Sequence, residues 1–230
     1  MSSFDCIHRG DTARYSHHRI KRGRTPAVEL SLEGSKAMSE SLRGHFLIAA
    51  KHLRDSNFFK AVVLMLEHNE DGAMGVVINH PMDVSVSSAL SKHSEISRAG
   101  QCLLAGGPVE ENALLILHNS LDYDQEHDPV VPGVFVGTSP DVFEKVVSSS
   151  LNEDRSDRKD SFQFRVYAGY SGWGAGQLEY EMSRGDWFTI PASADFVFGR
   201  EPYDVWDEVL QCFHERKRML PNQPPNPEWN

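Results

Sequence analysis

The segment Gly169-Tyr170-Ser171-Gly172-Trp173-Gly174-Ala175-Gly176-Gln177-Leu178-Glu179 constrains this chain more than any other. Four glycines fall within eight residues and surround a tryptophan. The run Phe162–Ala168 before it reads as a strand, and Gln177–Arg184 after it reads as a helix. Two readings fit the glycines. In the first they permit positive φ and close approach. Free N–H groups at the helix start would then cradle a carboxylate or phosphate, with Trp173 as a lid. In the second they form a tight turn that packs with the tryptophan into the core. The segment lacks the Gly-Lys-Ser/Thr end of a nucleotide loop, and Gly172-x-Gly174-x-Gly176 is not the dinucleotide spacing.

Around this segment the pattern is mixed. Strands are predicted over 45–50, 61–67, 74–79, 101–105, 113–118, 134–137, 162–168 and 187–190 from their Val, Ile, Leu and Phe content. Helices are predicted over 84–91, 140–149, 177–184 and 203–219. In the last, Val205, Trp206, Val209, Leu210 and Phe213 recur at helical spacing. Ser139 before Pro140 reads as an N-cap. Asn69-Glu70-Asp71-Gly72 joins two strands as an antiparallel hairpin. Strand and helix do not alternate throughout, so the expected class is α+β: a mixed, mainly antiparallel sheet packed by helices in a single domain. Residues 1–40 are expected to be a flexible basic extension, 41–219 the folded body and 220–230 a proline-rich tail. Asn152–Asp160 reads as a polar surface loop.

Charge narrows the partners. Residues 1–24 hold six Arg and Lys against two acids, a charge of +4. The other 17 basic and 31 acidic residues give the body −14. Tight, sequence-specific nucleic-acid binding is not expected of an acidic body, because phosphate contacts need basic surface. No apolar run approaches the ~18 residues of a membrane helix, and no secretory signal is evident. Three cysteines without a CxxC pair read as reduced thiols in the cytoplasm.

Several motifs stand in one order: Gly44-His45-Phe46-Leu47-Ile48-Ala49, Glu67-His68-Asn69, Gly72-Ala73-Met74-Gly75, Ile78-Asn79-His80-Pro81, Gly106-Gly107-Pro108-Val109, Leu117-His118 and the glycine segment with Trp187. In that order the chain resembles the AlgH/YqgE family of bacterial proteins, from about residue 42 to about 212. The resemblance implies a well-defined fold, no settled activity and a transcriptional-regulator label without a recognised DNA-binding motif. The chain departs from the family pattern at Lys51-His52, His80 and Ala175. At position 80 the family often carries a fixed cation.

The expected ligand site joins the three glycine segments in one cleft, since loops at one sheet edge commonly build sites. Its candidates are Gly75, Asn79, Gly106, Gly107, Pro108, His118, Gly172, Trp173, Gly174, Gly176 and Gln177. Each glycine turn is equally explained by turn chemistry alone. His68 and His118 stand at strand ends and have the pKa range for acid–base work. No nucleophile elbow accompanies them, and Glu179 and Glu181 are two apart, on different helix faces. No metal-ligand spacing and no cofactor motif is present. The sequence favours a non-enzymatic binding or regulatory protein for a small anionic ligand or a protein partner. A hydrolase-like enzyme using a cleft histidine is the alternative.

Overall fold

The computed structural model describes residues 40–85, 102–123, 128–137, 139, 141–142, 145–146 and 162–219. Contacts divide the chain into residues 1–37 and 38–230, and every described residue lies in the second unit. The basic extension before Glu40, the polar segment Asn152–Asp160 and the proline tail lie outside the described residues.

The core starts from strands too apolar to leave a face in water. β1 (His45–Ala49), β2 (Val62–Asn69) and β3 (Gly72–Val77) are buried over most of their length. β2 and β3 form the expected hairpin, and the Asn69 side chain accepts the Asp71 N–H across its turn at 2.9 Å. Alternation sends Phe46, Ile48, Val62 and Leu64 to one face and Leu47, Ala49, Val63 and Met65 to the other. A helix covers each face. α3 (Pro202–Met219) sets Val205, Trp206, Val209 and Leu210 on the first. The Trp206 indole also donates to the Ala49 carbonyl at 2.9 Å. α1 (Gln177–Ser183) sets Leu178 on the second. Full burial of each such side chain is worth about 1.5–3 kcal/mol.

The sheet order is β4 (Pro81–Ser85), β5 (Cys102–Ala105), β8 (Phe164–Gly174), β3, β2, β1, β9 (Trp187–Pro191). β6 (Val109–His118) pairs with β8 and carries β7 (Phe135–Gly137) on its other side. All pairings are antiparallel except β5 with β8. The architecture is the expected single-domain α+β fold. A short helix, α2 (Ala194–Phe198), adds Val197 to the core and has no counterpart in the sequence reading.

Two expectations change. The helix expected over 84–91 begins inside β4, whose proline stands at its first residue, where a missing N–H costs the ladder least. Residues 86–91 lie outside the described residues. The expected strand over 162–168 continues as β8 through Gly174, because β3 supplies a ladder for the glycines: Gly72 faces Gly174, Ala73 faces Trp173 and Gly75 faces Ser171. Much of the expected loop is therefore strand. Of the helix expected over 140–149, residues 141–142 and 145–146 are helical, and the Val142 N–H meets the Ser139 hydroxyl at 3.2 Å.

Candidate functional site

β8 changes partners midway, and this creates the site. Up to Tyr170 it pairs with β6 and, in parallel, β5; from Ser171 it pairs with β3. The switch is made at Gly169, which takes φ +70°. A methyl group there would lie 2.6 Å from the Gly107 carbonyl oxygen and 2.8 Å from that of Val109. Gly106 and Gly107 press against Gly169 and Tyr170 just as closely. The Gly106 N–H donates to the Ala168 carbonyl, and its own carbonyl accepts from Val77 N–H at 2.8 Å and the Ser171 hydroxyl at 3.2 Å. The three glycine segments thus meet, backbone on backbone.

Beside this junction opens a cavity of about 280 Å³. Gly107, Pro108, Ala105, Ala168 and Met82 supply its less polar wall, and Ser56, Asn57, His80 and Glu111 its polar groups. Each polar residue is placed by local geometry. Ser56 and Asn57 sit on a turn in which the Asp55 side chain accepts the Asn57 N–H at 2.8 Å. His80 follows β3, where its carbonyl accepts the Ala105 N–H at 2.8 Å. Its Nε2 lies 3.2 Å from the Phe59 carbonyl. A carbonyl only accepts, so Nε2 carries the proton and Nδ1 keeps its lone pair. Burial holds the imidazole pKa below its ordinary value, against the raising effect of the Phe59 and Lys60 carbonyls. Glu111 stands in a bulge of β6 between Val109 and Leu114, opened by Glu110 at φ +47°. Bulges of this kind re-aim side chains beside sites.

Of the sequence candidates, Gly107 and Pro108 line this cavity, and Gly106 is hydrogen-bonded into its wall. The others stand elsewhere. Gly75 is packed under Val63, where an added methyl would be 2.6 Å from a side-chain carbon. Asn79 spends its amide as a clamp: its oxygen accepts the Val62 N–H and its nitrogen donates to the Lys60 carbonyl, both at 2.8 Å. That clamp holds Lys60 at φ +54°. Trp173 is 6% exposed. It packs on Phe58 and Trp187, so it is no lid over a cleft. Gly172 and Gly174 are exposed strand residues, while Gly176 takes φ +72° as the α1 N-cap. The Gln177 side-chain oxygen accepts the Gly174 N–H at 3.1 Å, so that amide is not offered to an anion.

His118 is fully buried and stacked on Phe135. It faces Phe164, four residues along β8 from Ala168 of the cavity wall. At ~3.3 Å per strand residue that is about 13 Å from the cavity. His68 is tied at both nitrogens. Nδ1 accepts the Leu42 N–H at 3.0 Å, so Nε2 donates to the Glu179 carboxylate at 2.8 Å. Glu181, on another face of α1, accepts both buried indoles, Trp173 at 3.0 Å and Trp187 at 2.8 Å.

The sequence reading missed Ser56, Asn57, Met82, Glu111 and the role of His80. Only His80 carried a signal, as a departure from the usual cation. Glu111 lay in a polar interruption before an expected strand and had no pattern of its own. Among the described residues no group of three or more His, Cys, Asp or Glu is arranged to hold a metal ion, and no helix is long and apolar enough to cross a membrane.

Comparison with known proteins places this geometry. A protein of the UPF0301 group from Chlorobaculum tepidum is 33% identical over 187 residues, covering 81% of this chain and 95% of the relative. One from Hahella chejuensis is 37% identical over 166 residues, covering 71% of this chain and 84% of the relative. The solution structure of the AlgH protein from Pseudomonas aeruginosa aligns with TM-score 0.58 and 30% identity, covering 76% of this chain and 89% of that one. A crystal structure from Corynebacterium diphtheriae, 24% identical, shares the fold at TM-score 0.55 over 74% of this chain and 85% of its own. The family model described as AlgH-like matches residues 46–217, three quarters of the chain, and the chain belongs to that family.

Proposed function

We propose that this protein is a non-enzymatic, cytoplasmic binding and regulatory protein whose ligand, or a group of a protein partner, enters the cleft over Gly107 and Pro108. One observation carries the reading. Among the described residues the two non-glycine residues at positive φ, Lys60 and Glu110, both adjoin the cleft lining. Lys60 is held through Asn79, the neighbour of His80, and Glu110 precedes Glu111. Such backbone costs about 1–3 kcal/mol per residue and persists where the surroundings impose it, which is characteristic of sites. The histidines that suggested acid–base chemistry support binding instead. His68 is saturated by Leu42 and Glu179, and His118 is buried among aromatic rings. Regulation, on this reading, runs through the cleft and not through duplex DNA, which the −14 body repels.

A hydrolase-like reading keeps one specific support: Ser56 and His80 line the same cavity, and His80 Nδ1 has a lone pair. The test separates the two. The full chain is screened against a metabolite library by ligand-observed NMR, beside a Ser56→Tyr variant that fills the cleft mouth. Binding seen with the parent and lost in the variant is the expected result; equal binding by both refutes this cleft. Covalent labelling of Ser56 by a fluorophosphonate, abolished in His80→Gln, would establish the enzyme reading instead.

A further inference from the structure

We infer that the cleft takes a cationic nitrogen group, an alkylammonium or a guanidinium, and not the small anion that the glycine segment suggests. This rests on the reading of the cleft as the binding site and adds the chemical class of what enters it.

Among the described residues the lining holds no lysine and no arginine. Lys60, the neighbouring cation, is turned away: its ammonium lies 3.5 Å from Asp207 and 4.8 Å from the centre of the Trp206 ring. Two backbone donors of the glycine segments are engaged, Gly106 N–H by Ala168 and Gly174 N–H by Gln177. Beside Ser56 and Asn57, which can donate or accept, the cleft presents two acceptors. His80 is fixed as the Nε2–H tautomer by the Phe59 carbonyl, leaving Nδ1 to accept. Glu111 brings a carboxylate, and among the described residues it has no ion-pair partner. Its place is not that of an ordinary surface acid. The β6 bulge and the left-handed Glu110 set its backbone against Gly169, where a methyl would come within 3.1 Å of the Glu111 Cα. The Glu111 carboxylate, the His80 imidazole and the Ser56 hydroxyl line a cavity of about 280 Å³, which fits a head group of a few heavy atoms that donates several N–H bonds. The acidic body raises the local concentration of such a cation.

The test is a ¹H–¹⁵N shift titration of the full chain in about 100 mM salt. The probes are putrescine, N-acetyl-arginine amide, acetate and inorganic phosphate. The expected result is saturable shifts at the His80, Gly107 and Glu111 amides with the two cations only. Glu111→Gln should weaken them at least tenfold. Glu70→Gln, on the β2–β3 turn, should change them less than twofold, which excludes general charge screening. Glu111→Lys, at an exposed bulge position, should move the response to phosphate. Tighter binding of putrescine points to a free amine, and tighter binding of the arginine derivative to a side chain of a protein partner; either supports the inference. Saturable shifts at these amides with acetate or phosphate alone overturn the ligand class and leave the cleft as the site. Shifts absent there with all four probes, while the library screen still finds cleft ligands, overturn the class alone. Failure of both experiments removes the site.

Discussion

Gly169→Ala tests the junction from which the site is built. The residue sits at φ +70°, where a side chain costs about 1–2 kcal/mol. The new methyl would also stand 2.6 Å from the Gly107 oxygen and 2.8 Å from the Val109 oxygen. Both neighbours are backbone, held in the β5 and β6 connections, so neither can rotate away as a side chain would. Overpacking of this kind adds about 1–3 kcal/mol. The sum, about 2–5 kcal/mol, is a large part of the 5–15 kcal/mol that holds a typical domain. Gly174→Ala is the matched control from the same segment. Its φ lies outside the left-handed region, and the nearest atom to an added methyl is the Gln177 side-chain oxygen at 4.0 Å. Alanine there restricts the unfolded chain and should be neutral or stabilising by a few tenths of a kcal/mol. Urea unfolding of parent and both variants, at unchanged m-value, gives the two differences directly. At ~2–4 °C per kcal/mol the Gly169→Ala midpoint should fall by about 4–20 °C. A Gly169→Ala variant within 0.5 kcal/mol of the parent would refute the close-packed junction.

Two further outcomes follow from single groups. Glu181→Ala removes the shared acceptor of the buried Trp173 and Trp187 indoles, which should cost about 2–5 kcal/mol in urea unfolding. Glu181→Gln keeps one acceptor oxygen and should cost less; equal, negligible losses would show that the indoles find other partners. His80 has a lowered pKa in the folded chain, so the unfolded chain takes up its proton at higher pH. The stability of the neutral ring is therefore complete above about pH 6.5 and is lost as pH falls from there through the folded value. Thermal midpoints between pH 8 and pH 5 should fall less in His80→Asn than in the parent, and parallel curves would contradict a partly buried, neutral His80.

The sequence by itself determined the local elements and their class. The runs of β1, β2 and β3 are too apolar for a solvated strand face, and the α3 stripe from Val205 to Phe213 admits only an amphipathic helix. These properties belong to short windows and are visible wherever the window sits. The glycine segments also marked where backbones come together, since Gly106, Gly107 and Gly169 leave no room for a side chain. Only the tertiary structure decided what those glycines are for. Gly172 and Gly174 look the same in sequence as Gly169, yet they have room for a side chain where β8 pairs with β3. Trp173 reads as lid or core until Glu181, eight residues on, accepts a hydrogen bond from its indole N–H. His118 carries the same imidazole as His80 and Asn79 stands beside His80 in sequence, but His118 is sealed among aromatic rings and the Asn79 amide is spent on backbone groups. Glu111 reads as an ordinary acid until the β6 bulge brings it into the lining that His80 and Ser56 share. A site is a set of distances between residues from different segments, here 56, 80, 107 and 111. Such distances are fixed by strand pairing and close packing, which no local window of the chain contains.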